Sequence, residues 1–182
     1  ADAQAQLAAA GNACQVTEAV LMGVDTERQN VYEAACATGP GYIVVASTPP
    51  ALTDCVLLAG SAAVARERDP ESDERTCALP GNQNALAVIG AYAREAGIRC
   101  EIDQALAAGA ASDGAVIYEV GCAGEDGFWL RQQSAGGWTV TECMQIVSQN
   151  GTCRYTTTAE QIASMRTRLA GSDAGECDIQ QA

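Results

Sequence analysis

The sequence predicts an α+β fold of two tandem repeats, each a helix packed on an antiparallel sheet and stapled by disulfides. A partial third repeat, a helix and a short strand, is predicted to follow. The main observation is a fixed offset of 86 residues, at which Cys14 corresponds to Cys100 and Cys36 to Cys122. Self-similarity at a constant period indicates repeated structural units. The predicted modules span residues 1–79, 80–155 and 156–182.

Other residues keep the same offset. The pair Tyr32-Glu33 corresponds to Tyr118-Glu119, and the segment beginning at Cys177 resembles the one beginning at Cys100. Modules of this size bury a limited fraction of their surface, so they need additional stabilisation. The nine cysteines are the expected source of that stabilisation.

The second module begins with an amphipathic helix. Leu86, Ile89 and Ala93 mark one face at helical spacing, and Gly97 lies where a C-terminal cap is expected. Glycine-containing turns then separate short runs with β-forming residues. The strands predicted in this module are 99–108, 115–121, 128–132 and 138–141.

The first module follows the same plan. An alanine-rich helix precedes Gly11, and residues 52–65 fit either a helix or a strand. The last helix has a start signal, because Thr157 with Glu160, or Thr158 with Gln161, forms a capping box. Its end is predicted at Gly171. The strands predicted in the first module are 15–22, 31–35 and 42–47.

The number of cysteines predicts an exported protein from an oxidising compartment, whether periplasmic, outer-surface or extracellular. The first residues, Ala-Asp-Ala-Gln, resemble what remains after removal of a signal peptide. No apolar run approaches 18 residues, so no transmembrane helix is expected.

Repeat symmetry allows two disulfide schemes. The preferred scheme leaves Cys14 as a free or intermolecular thiol, because Cys177 near the end of the chain could then close onto Cys153. The alternative scheme leaves Cys177 unpaired. The preferred pairs are Cys36–Cys55, Cys77–Cys100, Cys122–Cys143 and Cys153–Cys177. The alternative pairs are Cys14–Cys36, Cys55–Cys77, Cys100–Cys122 and Cys143–Cys153.

The charge and the missing residue types exclude several functions. The chain has a net charge of −13, with no histidine, and no lysine appears in it. An acidic chain does not suit nucleic acid or an anionic membrane, and it fits a basic protein partner better. Catalysis that needs histidine or lysine, and histidine-ligated metal, are excluded. No cofactor and no metal site are expected.

Three groups of residues remain as candidates. Glu33 and Glu119 could act as paired carboxylates, but strand alternation places them on the solvated face opposite their tyrosines. The charged stretch 66–75 has no counterpart in the second module, so it is predicted to be a surface loop and a contact loop. Aromatic residues of the second module could anchor an interface. The candidate interface residues are Phe128, Trp129, Trp138, Arg66, Arg68, Asp69, Glu71 and Asp73.

These observations predict a non-enzymatic, exported protein–protein interaction module. It is expected to be an accessory or structural subunit of a larger bacterial envelope or extracellular assembly, because the module is duplicated, one cysteine is left over, the surface is acidic and catalytic residue types are missing. The bias toward alanine, glycine and arginine without lysine indicates a GC-rich bacterial genome. The first alternative is a secreted protein inhibitor of a hydrolase. The second alternative is an enzyme that uses carboxylates alone.

Overall fold

The computed structural model describes residues 2–133, 136–170 and 172. It confirms an α+β fold with helices, disulfides and two four-stranded antiparallel sheets. The chain divides into two compact units, Ala1–Val88 and Ile89–Ala182. The module boundaries at residues 79 and 155 stay a prediction. No helix in the described ranges has the length and apolar character needed to cross a bilayer.

The first sheet has the strand order β1-β2-β3-β4. The sequence fits either a helix or a strand over residues 52–65, and the structure has a strand followed by a helix there. The change occurs at Asp54, whose side chain accepts hydrogen bonds from the N–H groups of Val56 and Leu57. The elements are α1 (Asp2–Ala9), β1 (Val16–Val24), β2 (Asn30–Cys36), β3 (Tyr42–Val45), β4 (Ala51–Asp54) and α2 (Cys55–Arg68).

The second sheet has the order β5-β6-β7-β8. A short helix, α4, follows its last strand and was not predicted. The capping box of Thr157 and Glu160 opens α5 as predicted, and Ala170 is the C-cap. The elements are α3 (Ala85–Glu95), β5 (Ile102–Ala110), β6 (Val116–Cys122), β7 (Glu125–Gln132), β8 (Trp138–Glu142), α4 (Cys143–Ser148) and α5 (Thr158–Leu169).

The first hairpin of each sheet has the same register. Val16 pairs with Cys36 in one sheet and Ile102 with Cys122 in the other, which preserves the offset of 86 residues. Both hairpins shift register at the same place, before Gly23 and before Gly109. The two glycines have positive φ values of 139° and 147°, which other residues rarely adopt.

One face of each sheet packs against a helix. In the first unit, Leu7 of α1 is fully buried in a cluster with Tyr32, Ala34 and Val44. In the second unit, the ring of Tyr92 in α3 lies 5.3 Å from that of Tyr118 and 5.2 Å from that of Trp138. The predicted packing of a helix on each sheet is therefore confirmed.

The opposite face of each sheet is covered as well. In the first unit, the short 3-10 helix Pro80–Asn82 contacts β2, and in the second unit α4 and α5 contact β7. The central strands are consequently buried on both faces, with unbroken buried runs in β2 and β6. Side-chain alternation on these strands therefore does not separate a solvated face from a core face.

The four disulfides follow the alternative scheme, so the preferred scheme is wrong. The bonds join Cys14 to Cys36, Cys55 to Cys77, Cys100 to Cys122, and Cys143 to Cys153. The reason is the antiparallel hairpin, whose register brings the residues before β1 beside the end of β2. The preferred scheme assumed parallel neighbouring strands, and every strand pair in the described ranges is antiparallel.

The prediction of a free Cys14 thiol is also wrong. Cys14 is buried and bonded to Cys36, with the two Cα atoms 5.4 Å apart. Cys153 cannot pair with Cys177, because its sulfur is bonded to Cys143. Cys177 and the predicted short strand of the third repeat lie outside the described residues, as does Gly171.

Close approaches of neighbouring backbone require glycine at Gly41 in the first unit and at Gly127 in the second. A Cβ atom on Gly41 would lie 2.5 Å from the carbonyl oxygen of Ala34, and one on Gly127 would lie 2.5 Å from that of Val120. These contacts involve backbone atoms, which cannot move aside cheaply. The adjacent strand pairs leave room only for hydrogen at these two positions.

We expect Gly127→Ala to lower the free energy of unfolding by about 1–3 kcal/mol, the usual cost of overpacking. Gly90→Ala is the matched control, because a Cβ there meets only the flexible end of Arg94, at 3.5 Å. It should raise stability by about 0.5–1 kcal/mol, since glycine weakens a helix interior. Chemical denaturation followed by tryptophan fluorescence measures both changes, and equal effects would contradict the close approach.

Candidate functional site

Two glutamates at equivalent positions are the most deeply buried charged groups in the described ranges. Glu33 on β2 is 1% exposed, and Glu119 on β6 is 0% exposed. The sequence placed both on a solvated face, and this prediction is wrong. A folded-back segment that follows the second cysteine of a disulfide covers that face in each unit.

The carboxylate of Glu33 holds the segment after Cys77. Its oxygens accept hydrogen bonds from the N–H groups of Ala78 and Leu79, at 2.9 and 2.7 Å, and from the side-chain amide of Asn82, at 2.8 Å. All three partners are hydrogen-bond donors, which match the acceptor oxygens of the carboxylate. The hydrogen bonds connect residues that lie more than 40 positions apart in the chain.

Glu119 holds the segment after Cys153 in the same way. Its Oε1 accepts hydrogen bonds from the N–H groups of Arg154 and Tyr155, the second at 2.8 Å. The third donor is different, because the indole N–H of Trp129 donates to Oε2 at 3.2 Å. Trp129 is the cross-strand neighbour of Glu119, whereas β3 places Ile43 beside Glu33.

Each carboxylate also lies close to a disulfide. An oxygen of Glu119 and the sulfurs of Cys143 and Cys153 lie within 4.8 Å of one another, and Glu33 has the same relation to Cys55 and Cys77. This resembles a set of metal ligands. However, the sulfurs of each cluster are bonded to each other, and N–H donors surround each carboxylate. The donors therefore bind the carboxylate anion itself, and the clusters do not suit a metal cation.

The clusters therefore have a structural use. A catalytic carboxylate must reach a substrate, and both of these are buried and engaged by backbone donors. Glu33 belongs to the first unit and Glu119 to the second.

The aromatic candidates do not form an exposed anchor. Phe128, Trp129 and Trp138 are each half-buried. The indole of Trp129 is engaged by Glu119, and Trp138 packs on Tyr92.

The charged candidates lie at an exposed end of α2 and in the loop that follows it. Arg66 and Arg68 end the helix, and the loop returns to Cys77, which is bonded to the first residue of α2. Asp69 stabilises the turn by accepting a hydrogen bond from the N–H of Glu71. The position of these residues at the surface agrees with a contact loop. The exposed residues are Arg66, Arg68, Asp69, Glu71 and Asp73.

The most unusual surface in the described ranges is β1, which the sequence analysis missed. Four large apolar side chains of this strand are exposed: Val20 by 45%, Leu21 by 56%, Met22 by 49% and Val24 by 63%. β1 is an edge strand that pairs only with β2. A long apolar edge strand is a template for pairing with another chain.

The corresponding strand of the second unit differs. Leu106 and Ala107 occupy the positions of Val20 and Leu21, and each is only 4% exposed. The sequence contained one signal of this difference. Val20, Leu21 and Met22 are consecutive apolar residues in a predicted strand, and such a run does not have the alternation of a strand with one solvated face.

No protein family, no curated protein and no solved structure matches this chain.

Proposed function

We propose that this protein is a non-enzymatic, exported interaction module that binds a strand of a partner protein along the outer edge of β1. It would serve as an accessory or structural subunit of a bacterial envelope or extracellular assembly. The observation that carries the proposal is the exposure of Val20, Leu21, Met22 and Val24 on an edge strand. Exposed apolar patches on soluble proteins are commonly interaction sites.

The edge of β1 suits β-strand addition. In this mode, main-chain hydrogen bonds supply affinity and alternate side chains supply specificity. β1 spans nine residues, Val16–Val24, and eight of them are exposed. The other edge strand, β4, has only four residues and leads directly into α2. Of the two edge strands of the first sheet, β1 is therefore the one long enough to hold a partner strand.

Charge favours a foreign partner over a second copy. The chain carries a net charge of −13, so two copies repel each other. Glu18 lies on β1, and Asp25 and Glu27 follow it. We therefore expect the partner strand to be apolar at its centre, with basic residues at its ends.

The buried carboxylates support a role without catalysis. Glu33 uses both oxygens to hold the segment after Cys77, and Glu119 uses one oxygen to hold the segment after Cys153 and the other to bind the indole of Trp129. The four disulfides are consistent with an exported protein. The shared register of the two hairpins supports the proposal that the units are repeats of one module.

A single charge on β1 tests this function. We expect Leu21→Lys to prevent partner binding, because lysine on an edge strand blocks further pairing. Val147→Lys is the matched control, because Val147 is an apolar residue that is 40% exposed on α4, a helix of the second unit. Wild type and both variants would be used as bait in extracts of the source organism, and the retained proteins would then be purified and bound individually.

The expected result is a purified partner that binds the wild type and the control but not Leu21→Lys. Binding should also slow hydrogen exchange at the backbone N–H groups of β1. Equal binding by both variants would contradict the proposal. A partner that proves to be a hydrolase, inhibited on binding, would favour the inhibitor alternative. Dimerisation of the purified chain through β1 would contradict the assignment of a foreign partner.

A further inference from the structure

The two disulfides of the second unit differ in the charge beside them. The Cys143–Cys153 bond lies next to Glu119, one carboxylate oxygen of which is within 4.8 Å of both sulfurs. Among the described residues, no carboxylate oxygen has that relation to the sulfurs of Cys100–Cys122. One bond therefore opens or stays closed beside a negative charge, and the other does not.

The two bonds are otherwise alike in burial. Each joins a half-buried cysteine, Cys100 or Cys153, to an almost fully buried one, since Cys122 is 1% exposed and Cys143 is 0% exposed. In both bonds an arginine is adjacent in sequence to the half-buried cysteine. Burial and the neighbouring cation consequently do not distinguish the two bonds, whereas the carboxylate does.

Thiol exchange places negative charge on the sulfurs of the bond that opens. A thiolate of a dithiol reductant attacks one sulfur, the S–S bond breaks, and the other sulfur leaves with the electron pair as a thiolate. The second thiolate of the reductant then attacks the mixed disulfide and releases the second cysteine. Two electrons pass from the dithiol to the cysteines, two protons move through solvent from the dithiol to the cysteines, and the reductant becomes a cyclic disulfide.

Glu119 opposes that charge. When a reductant attacks Cys153, the more accessible residue of the pair, the sulfur of Cys143 has to leave as an anion in a fully buried place. Like charges a few ångströms apart disfavour each other strongly where water is excluded. The groups that donate hydrogen bonds to Glu119 are two peptide N–H groups and an indole N–H, which are neutral. These donors stabilise the carboxylate and leave its charge to act on the sulfurs.

We infer that Glu119 shields the Cys143–Cys153 disulfide from thiol exchange, so that a dithiol reductant or a thiol–disulfide oxidoreductase opens Cys100–Cys122 first. The bond that opens first joins the start of β5 to the end of β6. The segment after Cys153 keeps its position meanwhile, because both its disulfide and its hydrogen bonds to the carboxylate remain.

The first unit repeats this arrangement. Glu33 lies within 4.8 Å of the sulfurs of Cys55 and Cys77, and no carboxylate in the described ranges has that relation to Cys14–Cys36. The same order is therefore expected there, with the hairpin disulfide opening first. Burial contributes as well in this unit, since Cys55 is 1% exposed and Cys77 is 4% exposed. The second unit, where burial is matched, gives the cleaner comparison.

The test is reduction of the folded full chain by excess dithiothreitol at one fixed pH, without denaturant. Thiols present at the start are blocked with iodoacetamide, and thiols that form later are trapped at intervals with N-ethylmaleimide and located by peptide mass spectrometry. The initial rates of both disulfides then come from the same molecules. In the wild type we expect Cys100–Cys122 to open about tenfold or more faster than Cys143–Cys153. This comparison needs no variant, so it remains decisive should a variant not fold.

Glu119→Gln removes the charge and keeps the shape of the side chain. It should speed reduction of Cys143–Cys153 about tenfold or more relative to Cys100–Cys122, and so abolish the difference between the two bonds. Gly127→Ala is the matched control, because it crowds the backbone of the same unit and leaves the carboxylate in place. It should change both rates alike.

Hydrogen exchange separates shielding by charge from loosening of the segment. The N–H of Tyr155 exchanges when the segment leaves Glu119, so its exchange rate gives the open fraction in each variant. With shielding, Glu119→Gln should speed reduction of Cys143–Cys153 by about tenfold more than the open fraction rises. A rate that rises only in proportion to the open fraction would overturn shielding by Glu119. So would reduction of Cys143–Cys153 in the wild type as fast as that of the other disulfide, or an equal change of the rate ratio in Gly127→Ala.

Discussion

Replacing Glu119 with glutamine should lower the free energy of unfolding by about 2–4 kcal/mol. The new amide can place its oxygen toward the N–H groups of Arg154 and Tyr155, but its NH₂ group then faces the indole N–H of Trp129. Two donors would oppose each other in a fully buried place. The remaining hydrogen bonds would lose the strength that a charged acceptor gives.

The two tryptophans make this measurement direct. Trp129 and Trp138 are the only tryptophans of the chain, and both belong to the second unit. Denaturant unfolding followed by their fluorescence therefore reports on the unit that contains Glu119. The midpoint of the transition gives the change in stability, provided that its slope is unchanged.

Glu101→Gln is the matched control for this substitution. Glu101 is an exposed residue of the same unit, so the same chemical change should shift stability by less than about 0.5 kcal/mol. An effect of Glu119→Gln as small as that of the control would mean that the buried hydrogen bonds contribute nothing net. In the first unit, Glu33→Gln should resemble Glu119→Gln, because an amide oxygen that keeps the Leu79 and Asn82 donors leaves its NH₂ group facing the N–H of Ala78.

Local patterns predicted most of the fold. The capping box of Thr157 and Glu160, the strand runs and the glycine turns are short-range features, and each depends on neighbouring residues. Helix α4 was missed because its six residues carry no capping signal, and its cap, Asp126, lies on another strand. The boundary between β4 and α2 was missed because residues 52–65 fit both the helical and the strand periodicity.

The burial of the glutamates could not be read from the sequence in the same way. Strand alternation correctly separates Glu33 from Tyr32, but it does not say what covers the second face. The donors that satisfy Glu33 lie at Ala78 and Leu79, which are 45 and 46 residues away. A charged residue is exposed by default, and only these long-range hydrogen bonds reverse that expectation.

The disulfide pairing could have been predicted correctly from the sequence. Both schemes satisfied the repeat, so spacing alone could not choose between them. The predicted strands at residues 15–22 and 31–35 form a hairpin, and an antiparallel register places Cys14 beside Cys36. The preferred scheme went wrong because it gave priority to Cys177, a residue whose structure is outside the described ranges.

Removing the Cys143–Cys153 disulfide should lower the stability of the second unit by about 3 kcal/mol. The bond closes a loop with a sequence separation of 10 residues. Constraint of the unfolded chain by a loop of that size is worth about 2.7 kcal/mol on the chain-entropy account. The variant Cys143→Ala/Cys153→Ala, measured by tryptophan fluorescence, checks this value.

The disulfide and Glu119 should also depend on each other. The bond fixes Cys153, and the carboxylate of Glu119, one oxygen of which lies within 4.8 Å of the two sulfurs, accepts hydrogen bonds from the next two residues, Arg154 and Tyr155. Without the bond this segment is free to leave, so the hydrogen bonds to Glu119 stabilise less. Combining Glu119→Gln with loss of the disulfide should therefore lower the free energy of unfolding by less than the sum of the two separate effects. The difference should be about 0.5–3 kcal/mol.

The Cys100–Cys122 disulfide provides the control for this coupling. It joins the start of β5 to the end of β6 and does not hold the segment after Cys153. The effects of removing this disulfide and of Glu119→Gln on the free energy of unfolding should add to within about 0.5 kcal/mol. Equal coupling for the two disulfides would mean that Glu119 responds to the general stability of the unit. Coupling confined to Cys143–Cys153 would establish that the bond and the carboxylate fix one segment together, which is the reason a charged residue can be buried at this position.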